Sequence, residues 1–365
     1  MRAIKVVTIV CWVITALVIA GLAAWFLTGS LFGIRINGRN VDWDLGLNIG
    51  SFEVLSGPYS LVGEYSADAG GVDSIFVDWV AGEITVRPYD GNVIQVNEYA
   101  QRELRDNERL TLSDAGGTLT VRYRERGISG NMPSKRVEVL VPRTLSENLG
   151  ALSVDSSSGR VSASGFNANI FTVNSMSGSV DISNIVSQTL FIDSSSGAIT
   201  LASVNSGSVT IHSMSGTIRI TDTDARTLEI DSSSGTMNAS GTFDNVDLRS
   251  MSGRMTLNNA AFRSAVKTNS SSGRQELTGS FDSVTIESMS GSVEIRSATV
   301  PASLDINSSS GGITIAVPNE GEVRVRHSAS SGRLSSDIPI VIVQGGSAQF
   351  NITTMSGSTR IIELD

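Results

Sequence analysis

From Leu152 onward the sequence repeats itself, and no other property restricts its possible folds so strongly. Ser-Ser-Ser-Gly ends at Gly159, Gly197, Gly235, Gly273 and Gly311, a strict 38-residue period. Between them Ser-Met-Ser-Gly ends at Gly178, Gly216, Gly253 and Gly291, with Ala329-Ser330-Ser331-Gly332 and Thr354-Met355-Ser356-Gly357 as later relatives. Counted in sequence number from Gly159 to Gly311, the steps between successive glycines run 19, 19, 19, 19, 18, 20, 18, 20, so each 18 is answered by a 20. A unit this short cannot bury an apolar face alone, whereas stacked copies share one core, which is the logic of a solenoid.

Around each motif the residues alternate, as in Phe171-Thr172-Val173-Asn174-Ser175 and then Val180-Asp181-Ile182. Period two means strand. The apolar parity shifts by one across Ser-x-Ser-Gly, so the motif bends or bulges the strand where glycine tolerates the backbone. Two coil lengths satisfy the pattern. A 19-residue coil alternates Ser and Met up one ladder, and a 38-residue coil stacks like on like at two corners. The 18/20 compensation favours the longer coil, with a serine corner (Ser157, Ser195, Ser233, Ser271, Ser309) and a methionine corner (Met176, Met214, Met251, Met289, Met355). The fold expected is all-β: a solenoid over residues 151–365.

The preceding stretch, 75–150, reads as a β capping region. Ile75-Phe76-Val77-Asp78 and Gly82-Glu83-Ile84-Thr85-Val86 form a degenerate repeat, with Asp78 and Gly82 placed like Asp193 and Gly197. Residues 31–74 show no strong period, contain the turn signal Gly57-Pro58, and read as a linker.

Val6 to Leu27 is an uncharged run, about 33 Å long as a helix and enough for a bilayer core of about 30 Å. Arg2 and Lys5 precede it, and Trp12, Trp25 and Phe26 sit near its ends. The segment 1–30 is therefore expected to be one transmembrane anchor, N-terminus cytoplasmic and the bulk extracytoplasmic. A cleaved signal peptide is the rival, but the apolar run exceeds the usual h-region.

At Arg136-Val137-Glu138-Val139-Leu140-Val141-Pro142, followed by Leu152-Ser153-Val154-Asp155-Ser156-Ser157-Ser158-Gly159-Arg160-Val161, the chain resembles the bacterial "putative adhesin" family of β-strand repeat proteins. A strand ending in Val-Pro, a short connection and many Ser-x-Ser-Gly-x-Val/Ile repeats make up that pattern, here over roughly residues 75 to 365. The resemblance implies an envelope or surface β-solenoid with an adhesive role, and a second role in sensing envelope damage. It supplies no catalytic motif.

Chemistry is restricted further by what the chain contains. Outside Met1 to Ser30, 25 basic residues face 36 acidic ones, which argues against nucleic acid. One cysteine, Cys11, and two histidines, His212 and His327, leave no disulfide framework, no Cys-based zinc site and little for a Ser-His-Asp triad. With 38-residue coils, Asp155, Asp193, Asp231, Asn269 and Asn307 would stack about 4.8 Å apart. Calcium could relieve their repulsion, yet a ladder hydrogen-bonded to turn backbone accounts for them without a metal. The methionines could hold Cu(I) but are better read as core filling. The serine hydroxyls bond to backbone at the bend and lack a base nearby. A polysaccharide-active solenoid needs carboxylates gathered on one face, whereas the acids here spread evenly. No cofactor is expected. The expected function is non-catalytic binding or structural support, through many weak contacts to cell-wall polymer, surface glycan or an envelope protein. The eleven repeat glycines are expected to be structural corners.

Overall fold

The computed structural model describes residues 34–36, 39–41, 52–53, 58–125, 132–261, 264–345 and 347–364. The chain divides into two compact units, Met1–Ser51 and Phe52–Asp365. In the first, Ile34–Ile36 pairs antiparallel with Arg39–Val41.

The second unit is built on one sheet of 21 strands, with a short pair, Phe52–Glu53 and Met132–Pro133, beside it. Strands Leu149–Ser177, Val180–Ser196 and Ile199–Ser252 run through their corners almost without interruption. Their pairing is parallel, with Val161 against Val180 and Val180 against Ile199. Each partner's number is higher by 19, so a single 19-residue repeat makes one coil. The 38-residue coil expected from the sequence is thereby corrected, and the serine and methionine corners are one corner. The 18/20 compensation arises locally. Met237 pairs with Met255, a step of 18, but Asn245 pairs with Ala265, a step of 20, because the longer coil carries extra residues between Asn259 and Ser264. There the buried Asn259 acts as a piece of strand: its Nδ2 donates to the Phe243 carbonyl at 2.7 Å, and its Oδ1 accepts from the Phe243 amide at 2.9 Å.

Alternation fixes which side chains face inward. In the coil from Val180 these are Val180, Ile182, Ile185, Leu190 and Ile192, stacked on Ile199, Leu201, Val204, Val209 and Ile211 of the next, all at most 2% exposed. Each such side chain contributes about 1.5–3 kcal/mol, and the stack makes one continuous core. A second corner lies at Gly165, Asn184, Ser203 and Asp222, each in the left-handed region with φ of 81°, 53°, 54° and 48°. Glycine, Asn and Asp tolerate that region; Ser203 is held there by its neighbours on the ladder.

Ser74–Tyr89 is the first coil, with Asp78 beside Asp155 and Gly82 beside Gly159. It is covered by Lys135–Pro142 and Thr118–Arg122, both parallel to it. Antiparallel to Lys135–Pro142 runs Val93–Ala100, and antiparallel to that runs Ser60–Asp68, a strand inside the stretch read as linker. At the other end the chain doubles back. Phe350–Ser356 inserts between Ser303–Ser310 and Val323–Ser331, so the last residues in sequence do not form the last coil.

Among the described residues no helix is long and apolar enough to cross a membrane; the one α-helix there is Arg143–Ser146. On that finding the expected single-pass localisation is corrected: it has no support in the structure. Val6 to Leu27, where the span was expected, lies outside the described residues, as does Cys11.

Candidate binding face

The eleven glycines singled out in the sequence form a single column: Gly159, Gly178, Gly197, Gly216, Gly235, Gly253, Gly273, Gly291, Gly311, then Gly357 and finally Gly332, with Gly82 before the first. A Cβ on Gly197 would come within 2.0 Å of the Gly178 carbonyl oxygen, and the φ of +123° already excludes ordinary side chains. The column determines how the three residues before each glycine point.

The first serine of each motif turns inward and is buried. Ser194 Oγ donates to the Ser196 carbonyl at 3.3 Å, and Ser213, Ser232 and Ser250 repeat the contact. The third serine reaches to the coil before: Ser196 Oγ donates to the Met176 carbonyl at 3.4 Å, Ser234 to Met214 at 3.3 Å and Ser310 to Met289 at 3.4 Å. These hydroxyls are committed to backbone, as a bend requires.

The middle residue points outward. In one column therefore stand Ser157, Met176, Ser195, Met214, Ser233, Met251, Ser271 and Met289, one per coil, with Ser309 and Met355 beyond. The five methionines are 60–65% exposed, which corrects their reading as core filling. The core methionines are Met237 and Met255, buried at 1% and 0%. Alternate thioethers are two coils apart, about 9.6 Å along the ladder, too far for a shared copper ion without large side-chain movement.

Two residues earlier runs a second outward column: Asp155, Asn174, Asp193, His212, Asp231, Arg249, Asn269 and Glu287. The aspartates are not stacked on one another, because a coil with a different residue separates each pair, so the repulsion that motivated calcium is relieved by the ladder itself. Asn174 Nδ2 donates to Asp155 Oδ1 at 2.7 Å, and Asn269 Nδ2 to Glu287 Oε2 at 2.6 Å. Among the described residues no group of three or more His, Cys, Asp or Glu is placed to hold a metal. Beside the first coils the two columns border an open groove of about 300 Å³, lined among others by Asp78, Trp79, Asp155, Asn174, Met176 and Asp193.

The cap holds a cluster that the sequence did not reveal. Lys135 and Glu98 are fully buried, with Nζ 2.7 Å from Glu98 Oε1. Nζ also donates to the carbonyls of Glu108, at 2.7 Å, and Tyr123, and lies 3.9 Å from the Tyr123 ring centroid and 5.0 Å from that of Trp79. Burial pulls the ammonium down to about 8, against the upward pull of Glu98. Glu98 accepts further from the Leu110 amide at 2.9 Å and the Tyr65 hydroxyl at 3.2 Å. Every donor and acceptor points inward, so the cluster locks strands together rather than facing a ligand. Alternation puts Lys135 on the face of Val137, Val139 and Val141, and Glu98 on that of Ile94 and Val96, so period two marks both as inward; that the two charges meet is what the sequence pattern does not show.

The family model described as Toastrack DUF4097 matches residues 72–245 and again 241–361. Three crystal structures are similar. A "putative adhesin" from Bacteroides fragilis has a TM-score of 0.39 at 16% identity, over 66% of this chain and 98% of that one. A "putative lipid binding protein" from Parabacteroides distasonis also has a TM-score of 0.39, at 14% identity over 83% and 96%. A "putative adhesin" from Parabacteroides merdae has 0.29 at 11% identity over 87% and 100%. No curated protein matches the chain.

Proposed function

Because the chain belongs to the Toastrack DUF4097 family, we propose that its solenoid is a non-catalytic binding rod. It would hold an extended polyhydroxyl chain, such as a cell-wall polymer or surface glycan, by many weak contacts repeated along the coils. The observation that carries this reading is the unbroken register of the outward columns. From Asp155 to Glu287 each coil presents one polar residue at the same place, beside a Ser or Met. Hydroxyl, carboxylate and amide groups recurring about every 4.8 Å suit a partner that is itself periodic, and summed weak contacts give avidity without a deep pocket. The same regularity favours a non-catalytic role, since a hydrolase gathers its carboxylates around one bond.

Binding of the full chain to an array of cell-wall and surface glycans tests this. Saturable binding is expected, and removing residues 198–235, two whole coils, should weaken it in proportion to the face lost. A folded chain that binds no glycan, but does bind an envelope protein, would replace the glycan in this reading; one that binds neither would end it.

A further inference from the structure

Nothing in the fold requires methionine at the middle of the motif. Alternate coils place serine at the same spot with the same backbone, the same glycine and the same serine hydrogen bonds. Yet half of the ten exposed large hydrophobic residues among those described are the methionines of this one column. Long and short side chains alternate there with a period of two coils, and such an alternation is complementary to itself when reversed.

We propose that this face pairs with the same face of a second copy, the two rods running antiparallel and the long side chains of one filling the short positions of the other. A two-fold axis along the strand direction keeps each column opposite its own kind while reversing the order of the coils. One setting places Met176 opposite Ser271, Met214 opposite Ser233, Met251 opposite Ser195 and Met289 opposite Ser157, and each contact occurs twice. Each of the four methionines of these eight coils then meets a serine, which is the large-against-small packing that lets two faces interdigitate.

Charge agrees with this setting. In the neighbouring column the same pairing brings Asp193 opposite Arg249, His212 opposite Asp231 and Asn174 opposite Asn269. One like-charged pair, Asp155 with Glu287, falls at the rim, where solvent screens it. Arg249 already lies between Glu229 at 2.9 Å and Asp247, so it enters the contact held in place. Eight coils and three outward columns, the third lying two residues earlier again with Phe191 and Thr210, make a footprint of about 35 Å by about 13 Å, roughly 500 Å² on each copy. The total of roughly 1,000 Å² lies at the lower end for a specific interface, and it fits a reversible pairing. Methionine suits such a contact, being flexible and polarisable. The pairing does not depend on the glycan reading, because it needs no ligand.

The test is sedimentation of the full chain without ligand, against the variant Met176→Ser, Met214→Ser, Met251→Ser and Met289→Ser. The variant converts each Ser-Met-Ser-Gly into the Ser-Ser-Ser-Gly that the chain uses in neighbouring coils, so it keeps the fold, and circular dichroism checks that it has. A concentration-dependent dimer is expected for the natural chain, with loss of the dimer in the variant. Arg249→Asp should weaken the dimer through a change outside the methionine column. A natural chain that stays monomeric at its highest soluble concentration overturns the proposal. So does a variant that dimerises as well as the natural chain, since the contact would then lie elsewhere. A monomer that loses glycan binding on the four substitutions overturns it in favour of a glycan on this face, and leaves the binding reading standing.

Discussion

The Gly column is the most demanding feature at the scale of single residues. Gly197→Ala adds a methyl group against the Gly178 carbonyl in a backbone conformation that L side chains rarely adopt, and should cost about 3 kcal/mol, read by denaturant unfolding. The neighbouring Ser195→Ala, which alters only an outward position, should change stability little in the same measurement. Lys135 is the counterpart in the cap. Lys135→Met leaves the Glu98 carboxylate buried without its ammonium and should destabilise by about 3–5 kcal/mol, whereas replacing Lys135 and Glu98 together by apolar residues should recover much of that loss. The glycines were legible in the sequence because their spacing repeats. The lysine cluster was legible only in part: parity puts Lys135 with Val137 and Val139, and Glu98 with Ile94 and Val96, but that the two charges meet is set by the pairing of strands far apart in sequence, Val93–Ala100 and Lys135–Pro142.

At the scale of strands and corners, alternation told which side chains face the core, and Val180, Ile182, Leu190 and Ile192 all do. It could not tell how far apart the ladder partners are. The 18/20 compensation looked like evidence for a 38-residue coil, but it comes from extra residues in the two longer coils, between Asn259 and Ala265 and again between Ser297 and Ser303; in the first of them the buried Asn259 side chain bonds to the Phe243 backbone of the coil before. The second corner was available in principle: Gly165, Asn184, Ser203 and Asp222 recur with the 19-residue repeat, but their identities differ, and only the left-handed backbone they share makes them equivalent. The methionines were misread because an apolar residue in a repeat is ordinarily inside; parity places Met176 opposite in direction to the buried Ser175. In the cap, Glu108 makes an acid-sensitive joint. Its carboxylate accepts from Arg102 at 2.8 and 2.9 Å and from the Arg105 amide at 2.9 Å, and these bonds hold it down to about 2 from an ordinary 4.5. A carboxyl lowered on folding stabilises above its unfolded value and loses that contribution as pH falls through its folded one. Hydrogen exchange at the Arg105 amide should therefore quicken as pH drops from about 4.5 towards about 2, after correction for intrinsic rates, and should already be fast in Glu108→Gln.

At the scale of the whole molecule, the solenoid of the second unit is a sum of nearly equivalent coils, each touching only its neighbours. Removing one coil, residues 198–216, joins Gly197 to Thr217 in register and should leave a shorter, folded rod, seen as an undiminished β signal and a cooperative melt. Removing half a coil should not. The one-coil deletion also sets Ser195 beside Ser233 and breaks the long/short alternation, so it should weaken the pairing of two copies more than the loss of one coil's area would.

The 19-residue ladder underlies the corner column, the outward faces and both functional readings, and cross-linking tests it directly. In a Cys11→Ser background, cysteines at 176 and 195 stand on adjacent coils, within the Cα separation of about 4.4–6.8 Å that a disulfide spans, while cysteines at 176 and 214 stand two coils apart. Mild oxidation at high dilution should close the first pair within one chain and leave the second open. Closure of the 176–214 pair in preference to 176–195 would mean that 38-residue coils stack, and would contradict the fold and the face described here.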